Sequence, residues 1–357
     1  MNDAGDSGIL STPPTAGASR RSPRLVVEPS QRTTLRGGFG GRRSRDASLA
    51  LTSRDLEPFD PSTTTVADPL LGVVVADRYR ILEPIGRGGM GAVYKVAHLR
   101  IGKLVAMKLL AGDLARDADV ARRFKREAFA ASRLESPNTV QVFDYGVTGD
   151  FTFLVMELVR GESLGRVLRA SGPMPVGRLV RIMVQVCNAL AEAHEKGVVH
   201  RDVKPDNVMI MTAPDGGDVV KVLDFGLAKL RDADGIADIT SHGTIVGTPY
   251  YMAPEQIRGD EVDARTDVYA CGALMYRLST GCHPFSGPPM SVMAKQIGEE
   301  PVPPGERAPE LEIPEGLSRI ILRALKKDPG ARYQSVEELR AALVDEVRAS
   351  GSSSAER

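Results

Sequence analysis

The sequence lacks the features that define several common classes of protein. Its three cysteines, Cys187, Cys271 and Cys282, are odd in number and have no CxxC spacing, so neither a disulfide framework nor a zinc site is suggested. No run approaches the ~20 apolar residues that span a bilayer, and the N-terminus has no basic region followed by an apolar stretch. The formal net charge is zero, which gives no global attraction to nucleic acid or to a membrane surface. We therefore expect a cytoplasmic protein with neither partner.

The two ends of the chain differ from its middle. Residues 1–75 are rich in Ser, Thr, Pro, Gly and Arg, with almost no periodic apolar residues, so we predict a disordered N-terminal tail. A solvated, solubilising tail is the simpler interpretation, and a docking or self-phosphorylation segment is the alternative. Residues 76–347 show regular apolar patterns and form the predicted folded domain. Residues 348–357 are predicted to be a second disordered tail.

A glycine-rich segment lies between two β-like runs near the start of this domain. Gly86, Gly88 and Gly91 are spaced as GxGxxG, which also occurs in dinucleotide-binding folds. In those folds the third glycine opens a helix, whereas residues 92–96 have the pattern of a returning strand. Glycines let backbone N–H groups approach phosphates closely, because no side chain intervenes. The segment therefore predicts a phosphate-binding hairpin.

The stretch 199–207, with the sequence VHRDVKPDN, combines acidic, basic and amide side chains in one short, proline-stiffened segment. Asp202, Lys204 and Asn207 lie in it. Farther along, an apolar run ends in Asp-Phe-Gly at Asp224, which places a second oxygen ligand at a strand end. Asp224 and Asn207 would supply the hard oxygen ligands that Mg²⁺ prefers. These residue types indicate phosphate chemistry.

The two motifs, in this order, resemble those of the bacterial eukaryotic-like (Hanks-type) serine/threonine protein kinases. The resemblance runs from about Tyr79 to about Val347. It implies an α+β, two-lobed protein kinase fold, with a small β-rich N-lobe carrying one main helix (about 79–157) and a large, mostly helical C-lobe (about 160–347). It also implies transfer of the γ-phosphoryl group of ATP to protein Ser/Thr hydroxyls, with Mg²⁺, or Mn²⁺ in its place.

The resemblance implies a role for each residue of the site. Asp202 would orient the acceptor hydroxyl and accept its proton, and Lys204 would stabilise charge on the moving phosphoryl group. Lys108 ends an apolar strand and needs a partner, for which Glu127 is the candidate. The metal ligands would be Asn207 and Asp224. The nucleotide-binding residues would be Ile85, Gly86, Gly88, Gly91, Val93, Ala106, Lys108, Met156, Glu157, Val159 and Met209.

A long polar segment, residues 227–254, is predicted to regulate the site. In the resembled family, an arginine at the position of Arg201 pairs with a phosphorylated threonine of this segment. A phosphate adds about one to three charge-assisted hydrogen bonds. We predict activating self-phosphorylation at Thr240 or Thr244, with Thr240 slightly preferred, and a bracing role for Thr248 at the acceptor site.

Two further matches to the family pattern are structural, and the C-lobe is predicted to be helical around them. Asp267 is expected to cap the backbone of residues 199–207, called the catalytic loop below. Arg332 is expected to pair with Glu255. The final helix is predicted over residues 336–347.

Partners and alternatives follow from the same resemblance. It implies protein substrates, the chain itself in trans as a transient dimer, and phosphothreonine-binding proteins. A pseudokinase-like nucleotide-binding scaffold is the first alternative, and it is disfavoured because none of the six residues needed for transfer is missing. A small-molecule phosphotransferase of related fold is the second, and it is disfavoured by the long polar segment and by the sequence MAPE that ends at Glu255.

Overall fold

The computed structural model describes residues 68–88, 91–110, 118–149, 151–225 and 249–355. An antiparallel sheet organises the first part of this chain, and its six strands follow the order β1-β2-β3-β4-β6-β5. Successive side chains of a strand point to opposite faces, so a continuous run of apolar residues covers both sides of the sheet. The strands are β1 (Val74–Val75), β2 (Tyr79–Gly88), β3 (Gly91–His98), β4 (Leu104–Leu110), β5 (Val142–Thr148) and β6 (Phe151–Met156).

One helix, α1 (Ala118–Ala131), covers one face of this sheet. Its Phe124 and Ala128 pack with Leu154 of β6 in a small buried cluster. The neighbours of Leu154 in the strand, Phe153 and Val155, belong instead to a larger cluster on the other face. The strand alternation therefore builds two separate apolar layers, and α1 is held by the smaller one.

The N-terminal boundary of the domain differs from the prediction. Residues 68–75 were expected in the disordered tail, but β1 pairs with β2, and Val75 is 1% exposed. Leu70 and Val73 pack beside it on the larger apolar layer. This short apolar run has neither a helical nor an alternating period. The polar composition of the preceding tail therefore led to a prediction of disorder for these residues as well.

The second part of the described chain is mostly helical and surrounds α5, whose residues are almost all buried. None of the described helices is both long and apolar enough to cross a bilayer. The helices are α2 (Leu164–Ser171), α3 (Val176–Glu195), α4 (Pro254–Arg258), α5 (Ala264–Thr280), α6 (Pro289–Gly298), α7 (Pro304–Arg307), α8 (Glu315–Ala324) and α9 (Val336–Ala355), with 3₁₀ turns at Pro205–Asn207, Pro249–Tyr251, Pro309–Leu311 and Pro329–Ala331.

A small three-stranded sheet brings the two predicted phosphate motifs together. It consists of β7 (Glu162–Ser163), β8 (Val208–Thr212) and β9 (Asp218–Val222), in that order. β8 and β9 form a hairpin, since they pair antiparallel from Val208 with Val222 to Thr212 with Asp218. The catalytic loop enters β8 and the Asp-Phe-Gly motif leaves β9, so the hairpin places them side by side.

The last helix extends farther than predicted. It was expected to end at Val347 and to be followed by a disordered tail, but α9 continues to Ala355. A single interior glycine costs a helix only about 1 kcal/mol relative to alanine, so Gly351 does not end it. The predicted arrangement of a β-rich lobe with one helix and a larger helical lobe is otherwise the one observed.

Candidate active site

The buried carboxylate of Asp267 on α5 binds the backbone of the catalytic loop. One oxygen, Oδ2, accepts from the backbone N–H of His200 at 2.8 Å and lies 2.7 Å from Nε2 of His194. The other, Oδ1, accepts from the backbone N–H of Arg201 at 2.8 Å. This is the capping role expected of Asp267. Helix α5 therefore fixes the loop through two backbone hydrogen bonds to one carboxylate, and the ring of His194 on α3 contacts the same carboxylate.

Arg201 occupies a strained backbone conformation at this point. Its φ is +67°, in the left-handed region that few non-glycine residues adopt, at a cost of about 1–3 kcal/mol. Its N–H is bonded to Asp267, and its carbonyl accepts from the side chain of Gln256 at 2.8 Å. Because both backbone polar groups are bonded, the surroundings hold the loop in a shape that it would not adopt alone. The strained residue directly precedes Asp202.

The carboxylate of Asp202 is the centre of the loop's side-chain contacts. Its Oδ2 accepts from Nζ of Lys204 at 2.7 Å and from Nδ2 of Asn207 at 3.0 Å. Nδ2 of Asn207 also donates to the carbonyl of Asp202 at 2.8 Å. The sequence prediction placed these three residues in one site, and the loop brings them into direct contact.

Lys108 on β4 forms an ion pair with Asp224, with 2.9 Å between Nζ and Oδ1. Burial by itself would raise the pKa of Asp224, but the charge and hydrogen bond of Lys108, with a smaller contribution from Lys204, hold that pKa below its ordinary value. Asp224 also has a positive φ, +57°. The structure thus keeps an ionised carboxylate, in a strained conformation, at the end of β9.

His200 connects the catalytic loop to the Asp-Phe-Gly motif, a role that the sequence analysis did not assign. Its Nδ1 accepts from the backbone N–H of Asp202 at 3.2 Å, and its Nε2 lies 2.8 Å from the carbonyl of Leu223. Since a carbonyl accepts only, Nε2 carries the proton and the ring is the neutral Nε2–H tautomer. The ring also packs on Phe225, with 4.8 Å between centroids. Its position beside Asp202 was the only signal in the sequence.

The oxygens beside this junction suit a hard divalent cation. The backbone N–H of Leu223 donates to the carbonyl of Asn207 at 2.9 Å, which ties Asp224, the next residue, next to Asn207. The amide nitrogen of Asn207 is committed to Asp202, which leaves its Oδ1 for a metal, and Asp224 has Oδ2 beyond its contact with Lys108. An amide oxygen and a carboxylate, completed by phosphate and water, form an oxygen set of the kind Mg²⁺ prefers. Among the described residues no cluster of three or more His, Cys, Asp or Glu could hold a metal alone.

A second group of predicted residues belongs to one apolar cluster between the sheet and the helical lobe, which is called the cleft below. Ala106 and Met156 belong to one buried cluster, and Val93 and Val159 pack against it as partly buried members. The cluster also contains three residues that the prediction missed, Val140, Leu158 and Leu223. Two predicted members lie outside it: Met209 is half-buried on β8, and Ile85 is 44% exposed on β2.

Behind Met156 lies a cavity of about 20 Å³. Leu154, Val222 and Asp224 are among the residues that line it. A cavity of this size holds at most about one water molecule. Met156 therefore belongs both to the apolar cluster and to the lining of this cavity.

The glycine-rich segment is a hairpin. Gly88 pairs with Gly91 and Gly86 pairs with Val93, so β3 returns antiparallel to β2 and no helix follows the third glycine. Gly91 has φ +148°, a conformation that side chains rarely permit. The dinucleotide-binding alternative is thereby excluded.

Glu157, the residue that follows β6, is anchored by a lysine that sequence analysis could have found. Lys221 lies in the apolar strand β9, is 9% exposed, and pairs with Glu157 at 2.9 Å. It also donates to the carbonyl of Thr139 at 3.1 Å. A lysine in an apolar strand needs an acidic partner, which is the reasoning that singled out Lys108. The side chain of Glu157 is thus committed to structure, and only its backbone is left for a ligand.

Comparison with known proteins fits this geometry. Residues 79–343 match the protein kinase domain family. The chain belongs to the protein kinase family. Among curated relatives, it is 44% identical over 291 residues to the serine/threonine-protein kinase pkn3 of Myxococcus xanthus, covering 80% of this chain and 53% of that protein. It is 40% identical over 278 residues to PknB of Mycobacterium leprae, covering 76% of this chain and 43% of that protein.

The chain spans about half, or less, of the length of these kinases. Its fold resembles a crystal structure of the kinase domain of Mycobacterium tuberculosis PknI, with a TM-score of 0.60 at 29% identity over 77% of this chain and 98% of that chain. It also resembles Rad53 in complex with AMP-PNP, with a TM-score of 0.60 at 28% identity over 74% of this chain and 64% of that chain. The predicted bacterial Hanks-type resemblance and the two-lobed kinase fold are confirmed.

Several predicted kinase residues lie outside the described part of the chain. Thr240, Thr244 and Thr248 fall in 226–248, which the structure does not describe. Glu127 belongs to α1, but its side chain is likewise not described, so its pairing with Lys108 stays a prediction.

The predicted pair of Glu255 and Arg332 anchors the chain directly after the long polar segment, residues 227–254. The two guanidinium NH groups of Arg332 donate to the two carboxylate oxygens of Glu255 at 2.7 and 2.8 Å. Thr266 of α5 donates to the same carboxylate at 2.8 Å. Burial would raise the pKa of Glu255, but Arg332 lowers it more, so the pKa lies below its ordinary value. The pair fastens the start of α4 to the helical core.

Asp267 is expected to make the stability of the kinase domain depend on pH in acid. Burial would raise its pKa, but the hydrogen bond and charge of His194, together with His200, hold it below the ordinary value of 3.8. A carboxyl group whose pKa is lowered by folding stabilises the fold above its unfolded pKa and loses that contribution as the pH falls through its folded pKa. We expect the free energy of unfolding to drop below about pH 4, and Asp267→Asn to flatten the drop.

Urea unfolding of both chains between about pH 3 and pH 7 measures this dependence. The matched control is Asp215→Asn, which changes an exposed carboxylate in the turn between β8 and β9. It should keep the acid dependence. An unchanged acid slope in Asp267→Asn would contradict the prediction.

Proposed function

We propose that this chain is a serine/threonine protein kinase that transfers the γ-phosphoryl group of ATP to hydroxyls of proteins. The observation that carries this proposal is the convergence of Lys204 and Asn207 on the carboxylate of Asp202, tied by His200 and Leu223 to the pair of Lys108 and Asp224. Phosphoryl transfer requires mainly positioning and charge stabilisation, and this arrangement supplies both.

The nucleotide would lie in the apolar cleft with its phosphates under the glycine hairpin. Ala106, Val93 and Val159 would contact the adenine ring, and Met156 would limit its depth. The backbone N–H of Glu157 is bonded to the carbonyl of Gln141 at 2.8 Å, so its carbonyl is the group offered to the adenine edge. In support, the solved structure of Rad53, which shares this fold, contains AMP-PNP.

Asn207 and Asp224 would hold the metal, Mg²⁺ or Mn²⁺, which would neutralise phosphate charge when bound. Lys108 would contact the phosphates while keeping Asp224 ionised. Lys204, already directed at Asp202, would lie between that carboxylate and the transferred group. Each of these groups is fixed before any substrate binds, so little reorganisation is needed.

Asp202 would receive the acceptor hydroxyl. Both side-chain hydrogen bonds described for its carboxylate fall on Oδ2, so Oδ1 is the oxygen that would accept the hydroxyl proton. The alcohol oxygen then bonds to the γ phosphorus, the bond from that phosphorus to the ADP oxygen breaks, and the proton passes to Oδ1. The adjacent Lys204 stabilises the charge on the transferred group.

Regulation is proposed on the basis of the sequence. We infer activating phosphorylation of Thr240 or Thr244, with Arg201 as the partner of the phosphate and Thr248 at the acceptor site. Transfer in trans between two copies, and recognition by phosphothreonine-binding proteins, belong to the same proposal. A cytoplasmic location stays a prediction.

The test is labelling of the chain and of a generic Ser/Thr protein with γ-labelled Mg·ATP. We expect phosphoserine or phosphothreonine on both, and a drop of about 10²–10³-fold in Lys108→Met, because one charge-stabilising group is lost and Asp224 loses its partner. The matched control is Lys95→Met, which removes a surface lysine from the neighbouring strand β3.

Each alternative has a distinct result. Nucleotide binding without transfer to any acceptor would favour the pseudokinase scaffold. Labelling of a sugar or an antibiotic-like acceptor, but of no protein, would favour the small-molecule phosphotransferase. If Lys95→Met were as inactive as Lys108→Met, the loss of activity would not be specific to Lys108, and its role at the phosphates would be unsupported.

A further inference from the structure

A groove of about 670 Å³ lies between helix α1 and the edge strand β5, outside the catalytic cleft. Phe129 and Phe143 line it and are 61% and 44% exposed. Single exposed apolar residues are common, but two large aromatic side chains lining one concave surface mark an interaction site. These aromatic side chains give the groove an apolar surface, called its floor below, whose exposure to water is unfavourable.

The walls of this groove are basic. Arg122, Lys125 and Arg126 of α1 line it, and Asp144 is the one acidic side chain among the described residues of its lining. Asp144 is already paired with Arg78, with 3.0 Å between Nη1 and Oδ2, and also accepts from the hydroxyl of Tyr79. Its charge is therefore largely compensated from outside the groove.

Two more cations lie on the aromatic rings of the groove. The guanidinium of Arg133 lies 4.5 Å from the ring centroid of Phe129, and the ammonium of Lys103 lies 4.4 Å from that of Phe143. The surface thus combines apolar rings with a positive field. A short acidic peptide that carries apolar side chains would match both the charge and the apolar surface of this groove.

We propose that the groove binds the segment Asp55–Asp60 of this same chain, whose sequence is DLEPFD. This six-residue segment holds three of the seven acidic residues that precede Asp68. Phe59 is one of only two aromatic residues in that part of the sequence; the other, Phe39, is flanked by glycines and arginines. Leu56 and Phe59 supply apolar side chains for the floor, and the three carboxylates match the basic walls.

The length of the chain permits this contact. Asp68 is fixed on the sheet, because its carboxylate accepts from the hydroxyl of Tyr94 on β3 at 3.0 Å. Eight Cα–Cα steps separate Asp60 from Asp68, a reach of about 26 Å. From β3 to β5 there are three strand spacings, about 14 Å. The tether is therefore longer than this lateral separation.

Because the segment is tethered to the sheet, it can occupy the groove even if the affinity of the groove for it is low. A peptide linked by a short connection has an effective local concentration in the millimolar range, so it occupies a groove of modest affinity. Once bound, it would bridge α1 and β5. Because α1 also carries Glu127, the tail would influence the placement of this helix.

Photo-cross-linking of the full chain tests the proposal, with p-benzoylphenylalanine in place of Phe59. We expect a cross-link within one chain to a peptide from residues 122–132 or 142–145. The matched control has the same group in place of Phe39, the other aromatic residue of the tail, and should not label the groove. The readout does not depend on phosphoryl transfer, so it is independent of the proposed activity.

Charge reversal tests the chemistry of recognition. Lys125→Glu with Arg126→Glu should lower the yield of the cross-link from position 59 by about threefold to tenfold, as expected for two partly exposed ion pairs. Adding Asp55→Lys and Asp60→Lys to that chain should restore it. Arg319→Glu, an exposed arginine of α8, is the matched control and should change nothing.

Three outcomes would overturn the proposal. Equal labelling of the groove from positions 39 and 59 would mean that the segment has no specific role. Cross-links that join two chains would assign the groove to a second copy. A cross-link from position 59 that reaches the groove but resists charge reversal, without rescue, would mean that charge does not select the segment.

Discussion

Replacement of Asp202 by asparagine is expected to lower the rate of phosphoryl transfer by about 10²–10⁴-fold, the usual contribution of a positioned general base. Asparagine has nearly the same shape, so the loop should keep its backbone contacts with Asp267 and His200. The amide cannot accept the proton of an acceptor hydroxyl, and it pairs poorly with the ammonium of Lys204. The measurement is the initial rate of labelling of a generic Ser/Thr protein at saturating Mg·ATP.

Nucleotide affinity provides the internal control for this prediction. Lys108 and Asp224 are unchanged in Asp202→Asn, so the dissociation constant of the nucleotide should stay within about threefold. Asp215→Asn changes a carboxylate in an exposed turn and should keep the full rate. A chain with Asp202→Asn that retains more than about a tenth of the rate would contradict the assignment of the base.

The residues of the catalytic loop were predictable because their chemistry is encoded within one short segment. Asp202, Lys204 and Asn207 lie within six positions, so their mutual contacts need little more than the local turn. The hairpin that joins Asn207 to Asp224 was predictable for the same reason, since its two strands flank an acidic, glycine-containing turn. Local sequence brings these residues close together, and tertiary contacts to Asp267 and Gln256 hold the strained turn at Arg201.

The contacts that hold the loop in place were only partly predictable. Asp267 could be matched to a family pattern, but the link from His200 to Leu223 joins residues 23 positions apart, and the pair of Lys221 and Glu157 joins residues 64 apart. No local period reports such pairs. Buried charges are the only trace that they leave in a sequence, because a charge in an apolar strand demands a partner.

The domain ends were mispredicted because composition is a property of long windows. Residues 68–75 form only eight positions beside a long polar tail, and tertiary packing of Leu70, Val73 and Val75 outweighs the average. The last helix continues past Gly351 because propensity is a weak signal against an established helix. The positive φ of Asp224 could not be foreseen either, since strain of this kind is imposed by surrounding structure.

Removal of the charge of Glu255 is expected to destabilise the fold by about 3–5 kcal/mol, because Glu255→Gln leaves the guanidinium of Arg332 buried without its carboxylate. The side chain of Arg332 is 0% exposed and that of Glu255 is 7% exposed. Urea unfolding at neutral pH measures the loss. Arg178 and Asp218 form a matched pair that also has two hydrogen bonds, from Nε and Nη2 at 2.8 and 2.9 Å, but with side chains 34% and 16% exposed.

Comparison of the two pairs separates the effect of burial on stability from the effect of losing the hydrogen bonds. Asp218→Asn should cost only about 0.2–1 kcal/mol, since water solvates the arginine that it leaves. Adding Arg332→Met to Glu255→Gln should recover part of the loss, because the buried charge is then gone. Recovery should be incomplete, since Arg332 also donates to the carbonyls of Lys326, Arg265 and Lys327, which would lose their donor. Equal losses for Glu255→Gln and Asp218→Asn would show that the cost comes from the lost hydrogen bonds and not from an uncompensated charge in the core.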